Sequence, residues 1–328
     1  VGSEMCIRDR ANTWGWGSPA TIGCLLVGGA FLGAFVVLEL RVANPLVQLR
    51  LFRNRNFAGD SIVGFFVQFG LMGLTVFGAI YVQDLLGFSP LRAGLSLLPL
   101  TIPILFVAPM AGRLYDRIGP RALVTLGSSL AGLGILWSGL VLDRFEYAWL
   151  VPGYLLLGLG IGLVMSPINT DALNSTTADL RGQASGAFQA VRQVGGTVGL
   201  AVLATIVGTI ESRRIISSIE ALGGTEAQAA QIAGSLSQSA DEQAALADSI
   251  PAADREQVLA AAQDAVADGI SVAYYTAGGI MLACAVLAFV MLRHVRSADA
   301  VPDVAFASTA AARTDDTPGG VPDEPARP

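Results

Sequence analysis

The chain has 328 residues, of which 53% are hydrophobic and 14% charged, where a soluble domain carries about 25% charged residues. Its net charge of −6 comes from acids lying outside the apolar runs, and all twenty basic residues are arginine. No basic patch with interleaved aromatics occurs, which excludes a nucleic-acid partner. Cys6, Cys24 and Cys284 have neither metal-ligand nor disulfide spacing, and the single histidine, His294, stands just past the last apolar run beside Arg293 and Arg296. An enzyme in the membrane would need a cluster such as His with Asp or Ser near one interface. None is present, so no catalytic residue, metal or bound cofactor is expected.

Residues 1–10 do not share the pattern of the rest of the chain, and are expected to be foreign or disordered. Seven long uncharged segments come next: Ala11–Leu38, Ser61–Gln83, Ala93–Gly112, Ala122–Leu142, Tyr147–Thr170, Gln193–Ile210 and Gly269–Leu292. A spanning helix needs about 20 apolar residues, and each segment meets that length, the sixth when begun near Gly182. The strands of a membrane barrel would alternate instead over about ten residues. The fold expected is therefore all-α and integral to a lipid bilayer, with a first transmembrane helix over 15–40 and six more over 57–210 and 269–294.

Arginine placement sets the orientation. Taking loops alternately, one side holds ten arginines, among them Arg50, Arg53, Arg55, Arg113, Arg117 and Arg121; the other holds five, three of them in one long polar stretch. The first side is read as cytoplasmic. The long stretch, 211–268, carries ten acids against three arginines and is expected to be an extracellular helical insertion, with helical runs at Glu226–Leu246 and Ala252–Ala267. The tail 297–328 has too little apolar surface to fold and is expected to be a disordered cytoplasmic tail.

Gly112-Arg-Leu-Tyr-Asp-Arg-Ile-Gly-Pro-Arg121 packs three arginines and an aspartate between two apolar runs. This reads as a tight loop at a membrane surface. Gly119 is suited to the positive φ that ends one helix, and Pro120 to the first turn of the next.

Inside the spans, Gly29/Gly33, Gly182/Gly186 and Gly195/Gly199 have the spacing that lets helices approach closely. Gly158, Gly160 and Gly162 suggest another close stretch. Pro99, Pro103 and Pro109 predict a kinked third span. These features suit tight packing and a rocking bundle equally.

Polar residues at membrane depth point to function. Gln68 lies mid-span. Gln189, Arg192 and Gln193 fall at i, i+3 and i+4 on one helix face. Arg192 would lie about 15 Å into its helix and is expected to face the bundle interior; the four residues are the candidate transport path. Asp60, Asp84 and Asp171 sit at span ends and are read as interface anchors or caps. No carboxylate stands in the middle of a span, so the residue carrying a coupling proton is not legible.

The 112–121 loop resembles the signature loop of the major facilitator superfamily, roughly G-x-L-x-D-R-x-G-R-R. Gly112, Leu114, Asp116, Arg117, Gly119 and Arg121 match, while Pro120 stands where a basic residue is usual. With Trp14-Gly-Trp-Gly-Ser-Pro19, Leu51-Phe-Arg-Asn-Arg-Asn-Phe57, the stretch from Leu86 to Pro99 and that from Arg181 to Gly196, the chain resembles the fourteen-helix drug:proton antiporters of that superfamily, over helices eight to fourteen.

The resemblance implies a six-helix C-terminal bundle preceded by one extra transmembrane helix. It further implies two inverted three-helix repeats and a missing N-terminal half, so that the chain reads as a fragment. Gly112, Asp116, Arg117, Gly119 and Arg121 would form a conformational-switch loop that holds the cytoplasmic helix ends. The function implied is proton-gradient-driven efflux of small amphipathic or cationic drug-like substrates by alternating access in a bacterial plasma membrane. The alternatives are an exporter of one natural product, lipid or siderophore, and a non-transporting helical membrane module.

Overall fold

The structure, a computed structural model, describes residues 19–41, 49–221 and 255–292. Residues 1–10, the run Glu226–Leu246, His294 and the tail 297–328 lie outside the described residues. Every regular element within them is helical: α1 (Pro19–Arg41), α2 (Arg55–Ile80), the short α3 (Pro90–Leu95), α4 (Leu98–Ile118), α5 (Pro120–Leu140), α6 (Tyr147–Asn174), α7 (Arg181–Ala221) and α8 (Arg255–Met291).

Local chemistry explains the boundaries. The Asn54 side chain accepts a hydrogen bond from the Asn56 N–H at 3.0 Å and caps α2. At its far end α2 runs into a π-type turn over Tyr81–Leu85. The Ser89 hydroxyl caps α3, with Pro90 in the first turn. Gly119 separates α4 from α5 at φ 72° and ψ 176°, a conformation open essentially to glycine, and Pro120 opens α5. Pro99 lies in the first turn of α4, where no helical hydrogen bond is lost, while Pro103 and Pro109 lie inside it.

Among the described residues, six helices are long and apolar enough to cross a membrane: α2, α3 with α4, α5, α6, α7 and α8. The 23-residue α1 stands outside this set and packs extensively on none of them. The sequence leads one to count it as a seventh span, and that reading rests on sequence alone.

The packing order is symmetric. α2 lies mainly against α7 and α8, and α6 mainly against α4 and α5. The first helix of each three-helix set thus packs on the second and third helices of the other set, while the two third helices, α5 and α8, pack together. Glycines permit the closest approaches. A Cβ on Gly199 would lie 2.7 Å from the Phe69 Cα, and Gly195 abuts the backbone of Phe65, so α7 rests directly on α2. Gly158 and Gly162 face α4, and Gly160 faces α5. By contrast, Gly29, Gly33, Gly182 and Gly186 meet nothing within 4 Å, so among the described residues those two pairs bring no helices together.

Both ends of the bundle are tied. At the end carrying Gly119, the Asn54 Nδ2 donates to the Ser175 carbonyl at 2.7 Å, and the Arg121 guanidinium stacks 3.9 Å from the centre of the Phe289 ring. At the other end the Tyr81 hydroxyl donates to the Leu142 carbonyl at 2.7 Å, and Tyr147 donates to the Ser96 carbonyl at 2.8 Å. The flanks of the 211–268 stretch are continuous with the helices on either side, α7 reaching Ala221 and α8 starting at Arg255. An exposed ion pair, Arg214–Asp268 at 3.0 Å, bridges the two extensions. Ala252–Ala267 is thus no separate helix of a hairpin: from Arg255 onward it is the start of α8.

Candidate functional site

The sequence places Arg192 in the interior and the structure agrees, because three helices converge on it. α7 brings the side chain in about three turns from its start at Arg181. The glycine at position 64 of α2 makes room for the stem: a Cβ on Gly64 would lie 2.9 Å from the Arg192 Cγ. The guanidinium donates from Nη1 to the Gln189 Oε1 at 3.3 Å, and from Nη2 to the Gln68 Oε1 and the Met165 sulfur, each at 3.3 Å. Arg192 Nε is buried without a partner. Phe188 lies 5.9 Å from the guanidinium carbon, at the outer limit of a cation–π contact.

Gln68, Gln189 and Arg192 are therefore brought together, and Gln193 is not: it makes no hydrogen bond among the described residues. Among those residues no carboxylate neutralises Arg192 within ion-pair distance. Its hydrogen bonds are long and run to neutral acceptors. The site is thus a cation with donor capacity to spare, set among apolar helices. It can donate to an acceptor group brought beside it. Elsewhere on α2 an apolar pocket of about 290 Å³ opens toward α7, lined by Phe52, Ile62, Phe65, Phe66 and Val191 among others and by none of Gln68, Gln189 or Arg192.

The 112–121 loop is built as a helix–glycine–helix corner. A Cβ on Gly112 would lie 2.9 Å from the Ser166 Oγ, so α4 runs close over α6 there. Asp116 and Arg117 are exposed and make no hydrogen bond or ion pair among the described residues. The expectation that they hold helix ends finds no contact here. Within this chain Arg121, through Phe289, is the charged loop residue that grips a second helix.

Three participants are not legible in the sequence. Met165 comes from α6, at a position with no polar signal. Asp60 and Asp171 read as interface anchors, and the structure corrects this: they are 0% and 4% exposed. The Tyr115 hydroxyl donates to Asp171 Oδ1 at 2.8 Å. One signal could have found part of this. Asp60, Gly64 and Gln68 recur every four residues, so they share one face of α2.

A bundle of six membrane-length apolar helices, with a half-buried cation among them, defines a helical integral membrane protein. Comparison with known proteins makes this specific. Residues 11–200 match the Major Facilitator Superfamily, and the chain belongs to that family, whose members are transporters and not enzymes.

It is 30% identical over 298 residues to the multidrug resistance protein Stp of Mycobacterium tuberculosis, a match covering 89% of this chain and 53% of that protein. It is 30% identical over 212 residues to the tetracenomycin C resistance and export protein of Streptomyces glaucescens, covering 63% and 39%. The puromycin resistance protein of Streptomyces alboniger is 35% identical over 201 residues, covering 58% and 39%. The chain spans about half, or less, of the length of these curated relatives.

Proposed function

We propose that this chain supplies the C-terminal six-helix half of a drug exporter of the fourteen-helix antiporter type. It would work by alternating access, coupled to the proton gradient, in a bacterial plasma membrane. The observation that carries the reading is the Arg192–Gln68–Gln189 cluster, held among apolar helices by α2, α6 and α7. Such a cluster suits an amphipathic molecule that brings a polar group to the guanidinium and rests its apolar body against the surrounding helices. The exchange of partners between α2, α4, α5 and α6, α7, α8 supports two inverted repeats, the arrangement on which rocking-type transport rests. The names of the relatives, which refer to resistance to drugs, support a drug-like substrate class.

A transport path between two halves needs a second bundle. The second helix of each repeat offers it a surface: Leu98, Leu105 and Phe106 on α4, and Val194, Val198 and Val202 on α7, are exposed. In this reading α1 is the extra helix preceding the bundle.

The test is dye uptake by inside-out vesicles containing the complete carrier, of which this chain is half. Uptake of amphipathic dyes that carry a hydrogen-bond acceptor is expected when an acid-inside pH gradient is imposed and is expected to stop when a protonophore collapses it. Uptake indifferent to the gradient overturns the coupling. The tetracenomycin and puromycin relatives favour one second reading, a single-natural-product exporter; transport of one compound from a broad panel, with every dye excluded, would establish it.

A further inference from the structure

A second polar group lies at the Gly119 end of the bundle. Asp60 of α2 is fully buried, and neither of its carboxyl oxygens has a hydrogen-bond partner. Asp171 of α6 is nearly so: Oδ1 accepts from the Tyr115 hydroxyl, and Oδ2 is buried without a partner. The Asn54–Ser175 hydrogen bond, at 2.7 Å, ties the start of α2 to the end of α6, and Asp60 and Asp171 each stand between one and two turns inward from it on these two packed helices, so the carboxyls lie at about the same depth. Tyr115 of α4 is the third ionisable group that acts on the pair.

Among the described residues no cation relieves it. Arg113 and Arg117 of α4, Arg121 of α5, and Arg181 and Arg192 of α7 form no ion pair with either acid. Asp116 on α4 is exposed to solvent. Arg55, at the start of α2, is turned to the Val290 carbonyl of α8. At that end the last described residues, Ala285–Met291 of α8 and Leu292 after it, carry no ionisable side chain.

An ionised carboxylate only accepts hydrogen bonds, so two of them face to face leave buried acceptors with nothing to accept. A buried charge without partner or donor is strongly disfavoured. A single proton removes both difficulties: it makes one acid a donor and gives the other its partner.

We propose that Asp60 and Asp171 bind one proton between them and act as a latch. The proton holds the adjacent ends of α2 and α6 together, and its departure to the aqueous phase leaves two like charges that drive those ends apart. The two helices are the leading helices of the two repeats, and Tyr115 joins the latch to the corner at Gly119, so opening here would loosen the repeat contact and the signature loop together. Use of this latch in a transport cycle rests on the exporter reading; the proton itself does not.

The test uses the purified full chain in detergent. Infrared difference spectra against pH are expected to show the carbonyl band of a protonated carboxylic acid that vanishes as pH rises. The band should be absent from Asp60→Asn and from Asp171→Asn, in which an amide N–H replaces the proton, and should remain in Tyr115→Phe.

Spin labels at Arg53→Cys and Thr177→Cys, in a background freed of native cysteine, are expected to move apart at alkaline pH. They should stay fixed when Asp60→Asn is added. A pH-sensitive band that survives in both aspartate variants assigns the proton elsewhere and overturns the site. An unchanged label distance while the band disappears overturns the latch. Should both measurements come out as expected while the complete carrier ignores a pH gradient, the latch stands and the proton coupling of the proposed exporter fails.

Discussion

Arg192 of α7 reaches across to Gln68 of α2, at 3.3 Å, over 124 residues of chain. Gly64 clears the route and Gln189 braces the same guanidinium. The contact joins α7 to α2 through a polar bond among apolar helices.

Gln68→Leu removes the side-chain oxygen that α2 offers Arg192 and leaves Nη2 with the Met165 sulfur. A hydrogen bond to a charged group contributes about 1.5–3 kcal/mol, and about 1–2 kcal/mol is expected for bonds of this length. Thermal unfolding in detergent should report that loss. Transport by the complete carrier should fall about tenfold, since about 1.4 kcal/mol is a factor of ten in rate. Arg192→Lys should not restore it, because a lysine lacks the fork that spans two acceptors.

Gly199→Val should lower the unfolding midpoint markedly, because the new side chain meets the Phe69 backbone, which cannot give way. Overpacking of this kind costs about 1–3 kcal/mol. Gly182→Ala is the control. A Cβ on Gly182 would meet nothing beyond its own helix within 4 Å, and alanine is the better helix former by up to about 1 kcal/mol, so this variant should be neutral or more stable.

The Arg214–Asp268 pair is short but exposed, with side chains 62% and 46% accessible. Solvent screening limits such pairs to about 0–1 kcal/mol. A double-mutant cycle on unfolding, with both residues changed to alanine, should return a coupling at the bottom of that range, and the coupling should vanish in high salt.

Asp116 is exposed and unpartnered among the described residues, so Asp116→Asn should alter the stability of the isolated chain by no more than about 0.5 kcal/mol. In the complete carrier it is expected to slow efflux while insertion stays normal. Unchanged rates in vesicles would remove Asp116 from the transport cycle.

The sequence by itself determined the class of this protein: apolar runs too long for a soluble core, separated by arginine-bearing turns, admit a helical membrane bundle and little else. It also determined the corner at Gly119 and the interior placement of Arg192, since each follows from local sterics or from the cost of a cation in lipid.

Only the tertiary structure decided which polar residues meet. Asp60 reads as an end-of-helix anchor until neighbouring helices close over it, because distance from a helix end in sequence says nothing of what packs above that end. Gly195 and Gly182 carry the same signal of spacing, yet one touches α2 and the other nothing, because contact depends on which face of α7 its neighbours occupy. Which buried carboxyl finds a partner, and which glycine a helix, is a property of three-dimensional neighbours that a one-dimensional pattern does not contain.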